Sequence, residues 1–221
     1  MKIPYYEVYE ANTFLTRSNF FAEKEVIDIR QRVHALKDYW QVIGNPLYKY
    51  LPIGVYLRDR FPTYDRDLQM YRQLMWENFG PYYIQLKQYI NAIFDVPCDY
   101  SPVMCYPGFH IFGPGEDGIY DRIRIRDFHQ DLDYPFPPNV KEGEIFSFVV
   151  PIQLPRLGEC GLTYKLGREE HEIQYEVNKI ISWSGMLQHT FGPFQLSDAS
   201  DYRITLQAHV NVIENKGIIF W

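Results

Sequence analysis

The chain has 221 residues and a net charge of −6, a balance that argues against a general nucleic-acid binder, which would present a basic surface. Hydrophobic residues make up 46% and charged residues 23%, enough apolar matter for a substantial core and too little charge for a disordered chain. No apolar run approaches the length of a membrane span, and the opening MKIPYYEVYEANTF lacks the basic-then-apolar layout of a signal peptide, so no membrane partner is expected. Cys98, Cys105 and Cys160 form no CxxC pair, and an odd count of this kind points to reduced thiols in a cytoplasmic setting.

In chain order, residues 1–20 are tyrosine-rich and aperiodic and read as a short strand or arm. Val26, Ile29, Val33, Leu36 and Trp40 then recur at steps of three and four, which predicts a helix, with Ser18 or Asn19 as its cap and Gly44-Asn45-Pro46 as its end. Residues 46–64 hold three prolines and read as loop with one strand. From Asp65 a second helical stripe runs through Leu68, Tyr71, Met75, Phe79, Tyr83, Leu86, Ile90 and Ile93. Gly80-Pro81 falls in its middle and predicts a kink or two abutting helices.

Beyond Val103 the helical period disappears, and β-rich runs alternate with Gly/Pro turns at 103–112, 122–129, 145–153, 161–166, 171–183 and 202–214. No linker or repeat divides the chain, so one domain over 1–221 is expected, with 1–100 largely helical support and 101–221 a β core. Two runs alternate clearly. In HEIQYEVN, Ile173, Tyr175 and Val177 share one face and Glu172, Gln174, Glu176 and Asn178 a solvated one. In YRITLQAHVNV, Ile204, Leu206, Ala208, Val210 and Val212 oppose Arg203, Thr205, Gln207, His209 and Asn211, a polar face that either meets water or lines a wet pocket. The 19 Tyr and 15 Phe are chiefly core and ordinary surface, though some can line a pocket for an apolar or ring-bearing ligand.

The chemistry concentrates in RIRDFHQDLDY. His129 and Asp131, two apart on an extended segment, point to the same side and can meet one metal ion. His-x-Asp alone is weak evidence. His189 then follows after a long gap, just past a strand and turn, and Arg203 lies in the next strand with Thr205 two positions on. Two histidines and one carboxylate on one face of a metal leave other positions open, the donor set of non-haem Fe(II) oxygenases.

This order resembles the Fe(II)- and 2-oxoglutarate-dependent dioxygenases, over about residues 103–214. The resemblance implies a mainly β fold with N-terminal helices, a double-stranded β-helix or jelly roll buttressed by α-helices. It implies His129, Asp131 and His189 as iron ligands, O2 as co-substrate, and Arg203 with Thr205 as the 2-oxoglutarate anchor. Arginine suits that role because its planar fork holds a carboxylate bidentately, and the same strand face then belongs inside the barrel. Cys105-Tyr106-Pro107-Gly108 looks like the strand before His-x-Asp in the prolyl-hydroxylase branch, which implies a cosubstrate contact for Tyr106. The longer insertion FHIFGPGEDGIYDRIRI before His129 departs from that branch, and the segment from His189 to Arg203 is longer than in several branches and requires a bulge or small loop in 191–201.

The implied reaction is oxidative decarboxylation of 2-oxoglutarate coupled to attack on an unactivated C–H bond of a small molecule or short peptide. Hydroxylation is the expected outcome. Desaturation, epimerisation and ring formation branch from the same hydrogen abstraction. The related halogenases replace the carboxylate with a small residue, so Asp131 argues against chlorination. Arg122, Arg124 and Arg126 share a strand face: a solvated edge is the plainer reading, and Arg126 as a substrate contact the alternative. His34, His110, His171 and His209 lack a partner pattern and read as structural histidines, with pocket lining the alternative for His110 and His209. Two other functions fit less of the sequence. A zinc hydrolase could use the same ligands, but no clear general base sits beside them. A non-catalytic jelly-roll binding module would require the motif order to be coincidence.

Overall fold

The computed structural model describes residues 7–9, 14–42, 48–60, 63–113, 128–131, 144–157 and 160–221. Among these the chain is mostly β, with two long helices and largely antiparallel sheets. The helices are α1 (Glu23–Ala35) and α2 (Tyr64–Phe94). Strands β1 (Glu7–Tyr9) and β2 (Phe14–Arg17) precede α1. β3 (Gln41–Val42) and β4 (Tyr48–Leu51) lie between the helices, and β5 (Cys98–Tyr100) follows α2. The remaining strands are β6 (Gly108–Phe112), β7 (Glu144–Gln153), β8 (Gly161–Leu166), β9 (Glu169–Gln174), β10 (Ile180–Ser184), β11 (His189–Phe191), β12 (Arg203–Ile213) and β13 (Lys216–Phe220).

The larger sheet runs β1-β2-β10-β7-β12-β6-β4-β3. β12 is its spine. One edge of β12 pairs with β7 over most of its length; the other is shared, with β6 along Arg203–Gln207 and β13 along His209–Ile213. The expected division into helices first and strands after is therefore only partial, because short N-terminal strands close both ends of this sheet. The smaller sheet is β11-β8-β9, and His129 extends it by bridging to His189.

Apolar alternation explains the layers. The stripes of α1 (Val26, Ile29, Val33) and α2 (Met75, Phe79, Leu86, Ile90) share a core with Phe109 and Ile111, Phe148, Val150 and Ile152, and Ile204, Leu206, Ala208 and Val210. On the other face, Phe14, Phe112, Val149, Ile181 and Trp183 pack with Leu162, Tyr164, Ile173 and Tyr175 of the small-sheet side. Each apolar side chain of this size contributes about 1.5–3 kcal/mol on burial.

Several local expectations change. α1 starts at Glu23, not near Ser18: Asn19 takes a left-handed turn (φ 52°), and Phe20 and Phe21 are buried before the helix begins. Asn178 clamps them, accepting from the Phe21 N–H and donating to the Phe21 carbonyl, each at 2.7 Å. Asn178 is thus buried, not on a solvated face, while Val177 is exposed. Its own φ of 66° is the turn that splits the expected run 171–183 into β9 and β10. α2 continues through Gly80-Pro81 as one helix of 31 residues. The expected strand at 122–129 lies outside the described residues except for its last two.

Candidate metal centre and the cavity behind it

His129, Asp131 and His189 converge: one ligand atom from each lies within 4.8 Å of the others. The backbone brings them together. His129 and His189 exchange both main-chain hydrogen bonds at 3.0 Å, and the Asp131 N–H donates to the Gly185 carbonyl at 2.9 Å. Gly185 has to be glycine, since a Cβ there would meet the Asp131 carbonyl oxygen at 2.7 Å. Asp131 Oδ1 lies 3.8 Å from His129 Nε2, and Oδ2 lies 3.4 Å from His189 Nε2.

The three ligands differ in exposure. The His189 and Asp131 side chains are 7% and 12% exposed and that of His129 is 49%, so the site opens on the His129 side. His189 Nδ1 donates to the Leu187 carbonyl at 2.8 Å, which leaves the Nε2 lone pair facing Asp131. Burial lowers the pKa of His189 and keeps the ring neutral, as a metal ligand must be. Burial works against the charge on Asp131, but the charges that His189 and His209 take on at low pH, with a hydrogen bond from Ser147, outweigh it and hold the carboxyl below its usual range. Two imidazoles and an ionised carboxylate fit a divalent transition metal with open positions. The convergence also counts against the motif order being a coincidence.

Behind the triad lies a cavity of about 130 Å³, lined among others by His110, Tyr175, Phe191, Gln207, His209 and Trp221. Tyr175 and Phe191 also pack on Arg203, whose side chain is fully buried. The Arg203 guanidinium carbon sits 4.9–5.7 Å from the ring centres of Phe112, Phe191, Tyr175 and Phe194, and its Nε donates to Cys160 Sγ at 3.2 Å. Neither terminal nitrogen makes a hydrogen bond of good geometry among the described residues, although the Tyr175 hydroxyl lies close enough to interact with the guanidinium. A buried fork with unmet donors is costly unless a ligand meets them, and a carboxylate has the matching shape.

Thr205 shares the Arg203 face and is fully buried, but its Oγ1 accepts from Gln207 Nε2 at 3.2 Å. Gln207 Nε2 also lies 2.8 Å from His110 Nδ1, and the cavity wall there is Gln207 and His110. His110 and His209 therefore line the cavity, the alternative to an ordinary structural role. Burial lowers the pKa of both, that of His209 to about 4. Tyr106 is not among the residues that line the cavity. Its ring stacks on Tyr83 (5.6 Å) and lies against Trp76 and the Arg72 guanidinium, in the cluster on the helix side. The β6 ladder begins only at Gly108, past Pro107, so alternation from β6 cannot carry Tyr106 to the inner face. Arg126, with Arg122 and Arg124, lies outside the described residues. The signal for Gln207 and His209 was present in the β12 alternation; Ser147 and Trp221 had none.

No family model matches the sequence, and no curated protein matches it. Solved structures do. SnoN, a non-heme α-ketoglutarate-dependent epimerase from nogalamycin biosynthesis, aligns at TM-score 0.55 with 10% identity, covering 90% of this chain and 80% of that one. An N-substituted L-amino acid dioxygenase from Burkholderia ambifaria AMMD aligns at 0.53 with 8% identity, over 95% and 86% of the two chains. HygX from Streptomyces hygroscopicus, solved with nickel and 2-oxoglutarate bound, aligns at 0.52 with 10% identity, over 89% and 82%. At these identities the likeness is one of fold: the chain shares the mostly β, antiparallel architecture of these proteins.

Proposed function

We propose that the chain is an Fe(II)- and 2-oxoglutarate-dependent oxygenase acting on a small molecule or short peptide, with hydroxylation of an unactivated C–H bond as its reaction. The observation that carries this reading is the pairing of a convergent His129–Asp131–His189 donor set with a buried Arg203 fork, unmet by hydrogen bonds, whose neighbours Tyr175 and Phe191 line the same cavity. Iron(II) with 2-oxoglutarate and O2 supplies the oxidising power for C–H cleavage, giving succinate and CO2. The chain's residues supply the rest. His129, Asp131 and His189 hold the metal on one side. Arg203 anchors the distal carboxylate of the cosubstrate, with the Thr205–Gln207–His110 cluster beside it. The apolar walls, among them Val149, Leu162, Phe191 and Trp183, restrict water. Asp131 occupies the carboxylate position, so chlorination is not proposed.

The two sheets are read as a double-stranded β-helix and residues 1–221 as one domain, in which the helical face buttresses the larger sheet. A cytoplasmic setting agrees with three buried free thiols. No helix among the described residues is long and apolar enough to cross a membrane.

The test is direct. Protein purified without oxygen is given Fe(II), 2-oxoglutarate and air, and succinate is measured. Succinate formation without added substrate, and 2-oxoglutarate binding by calorimetry, are the expected results. Absence of both would overturn the proposal.

A further inference from the structure

Ser147 is the only hydroxyl in the apolar run Ile145–Ile152 of β7, and it is buried. It stands opposite His209 in the β7–β12 register. Its Oγ lies 2.5 Å from Asp131 Oδ2 and 3.1 Å from His209 Nδ1. An ionised carboxylate only accepts, so the hydroxyl proton goes to Asp131. The hydroxyl then turns its lone pairs to His209, so Nδ1 must carry a proton. The hydrogen bonds run in one direction, from His209 through Ser147 to Asp131.

The His209 ring is itself held. The Trp221 indole lies parallel to it (2°, centroids 5.6 Å), and Phe220 flanks it at 5.6 Å. Trp221 is fixed in turn, its Nε1 donating to the Pro52 carbonyl at 2.8 Å. It fills the space above Gly108, where a Cβ would meet the indole at 2.1 Å.

We propose that Ser147 and His209 are positioning residues for the metal centre: their chain fixes the rotation of the Asp131 carboxylate, so that the centre is set before metal arrives. Main-chain bonding to Gly185 places Asp131; Ser147 aims its side chain. The inference rests on the metal part of the proposed function and not on 2-oxoglutarate.

The probe is Co(II) alone, titrated into the full chain without cosubstrate and followed by visible absorption and calorimetry. Outer partners of metal ligands are worth about 10–100-fold in affinity, so Ser147→Ala is expected to weaken Co(II) binding by about that factor. His209→Leu should weaken it in the same direction. His209→Asn, whose amide N–H can replace Nδ1–H, should stay within about threefold of the parent, well short of that loss. Near-ultraviolet circular dichroism checks that each variant is folded. If Ser147→Ala does not fold, the His209 pair decides: equal Co(II) affinity for Leu and Asn overturns the proposal. So does a folded Ser147→Ala that binds Co(II) like the parent. A parent chain that binds no Co(II) overturns both this inference and the metal site. Binding of Co(II) without binding of 2-oxoglutarate overturns the oxygenase reading and leaves the positioning test standing.

Discussion

The two faces of β12 are equally buried and opposite in chemistry. Ile204, Leu206, Ala208 and Val210 meet the helices; Arg203, Thr205, Gln207, His209 and Asn211 face inward, and all nine are buried. Apolar burial explains the first face without any ligand. The second would be a poor use of a core, since buried polar groups cost free energy unless they are paired. Three of its members are tied into networks: Thr205 to Gln207, Gln207 to His110, and His209 to Ser147. Arg203 leaves both terminal nitrogens unmet by hydrogen bonds among the described residues. Equal burial therefore marks two different tasks, cohesion on one face and, on the proposed reading, recognition on the other.

That division is most exposed to test at the inward face. His189→Ala removes one of three metal donors and should lower Co(II) affinity by more than the about 10–100-fold expected for an outer partner, as read by calorimetry. Arg203→Met should cost about 3 kcal/mol of 2-oxoglutarate binding, on the order of 100-fold, with Co(II) affinity retained. The same variant should melt no lower than the parent in the absence of ligand, because an apolar side chain among four aromatic rings replaces an unmet charge. A marked loss of stability would make Arg203 a structural residue and remove the contrast between the faces.

The outward face should respond in the opposite sense. Leu206→Ala opens a cavity under the helices and should destabilise the fold by about 2–5 kcal/mol in denaturant titration. Below the unfolding transition, its Co(II) affinity should match the parent's. Loss of metal binding in a folded Leu206→Ala would show that the two faces are coupled through the strand.

Much of this was legible because it repeats along the chain. The period of two separated the β12 faces, and the spacing of His129, Asp131 and His189 pointed to the three groups that converge. The helical stripes named the residues of α1 and α2 that meet the sheet. What stayed hidden depends on contacts distant in sequence. Ser147 and His209 meet only through the β7–β12 register, and Trp221 only because β13 returns beside β12. β13 itself is a short apolar run after a turn with Glu214 at φ 55°, too brief to announce a strand. The start of α1 was misplaced because Asn178, far along the chain, holds Phe20 and Phe21 out of the helix. Pro81 was overweighted: helix packing against the sheet carries α2 across one missing N–H.

Tyr106 is the sharpest small test, since resemblance put it at the cosubstrate and packing puts it beneath α2. Its ring is held by Tyr83, Trp76, Tyr100 and Arg72, all on the helix side of the larger sheet. Tyr106→Phe keeps those ring contacts and removes only the hydroxyl. Were that hydroxyl a ligand to 2-oxoglutarate, its loss would weaken binding by about 1.5–3 kcal/mol, the worth of a hydrogen bond to a charged group. The packing predicts instead no change in 2-oxoglutarate affinity by calorimetry. A tenfold loss would mean that the inner cavity reaches past Pro107 to the helix layer, and the separation of the two faces would fail at that corner.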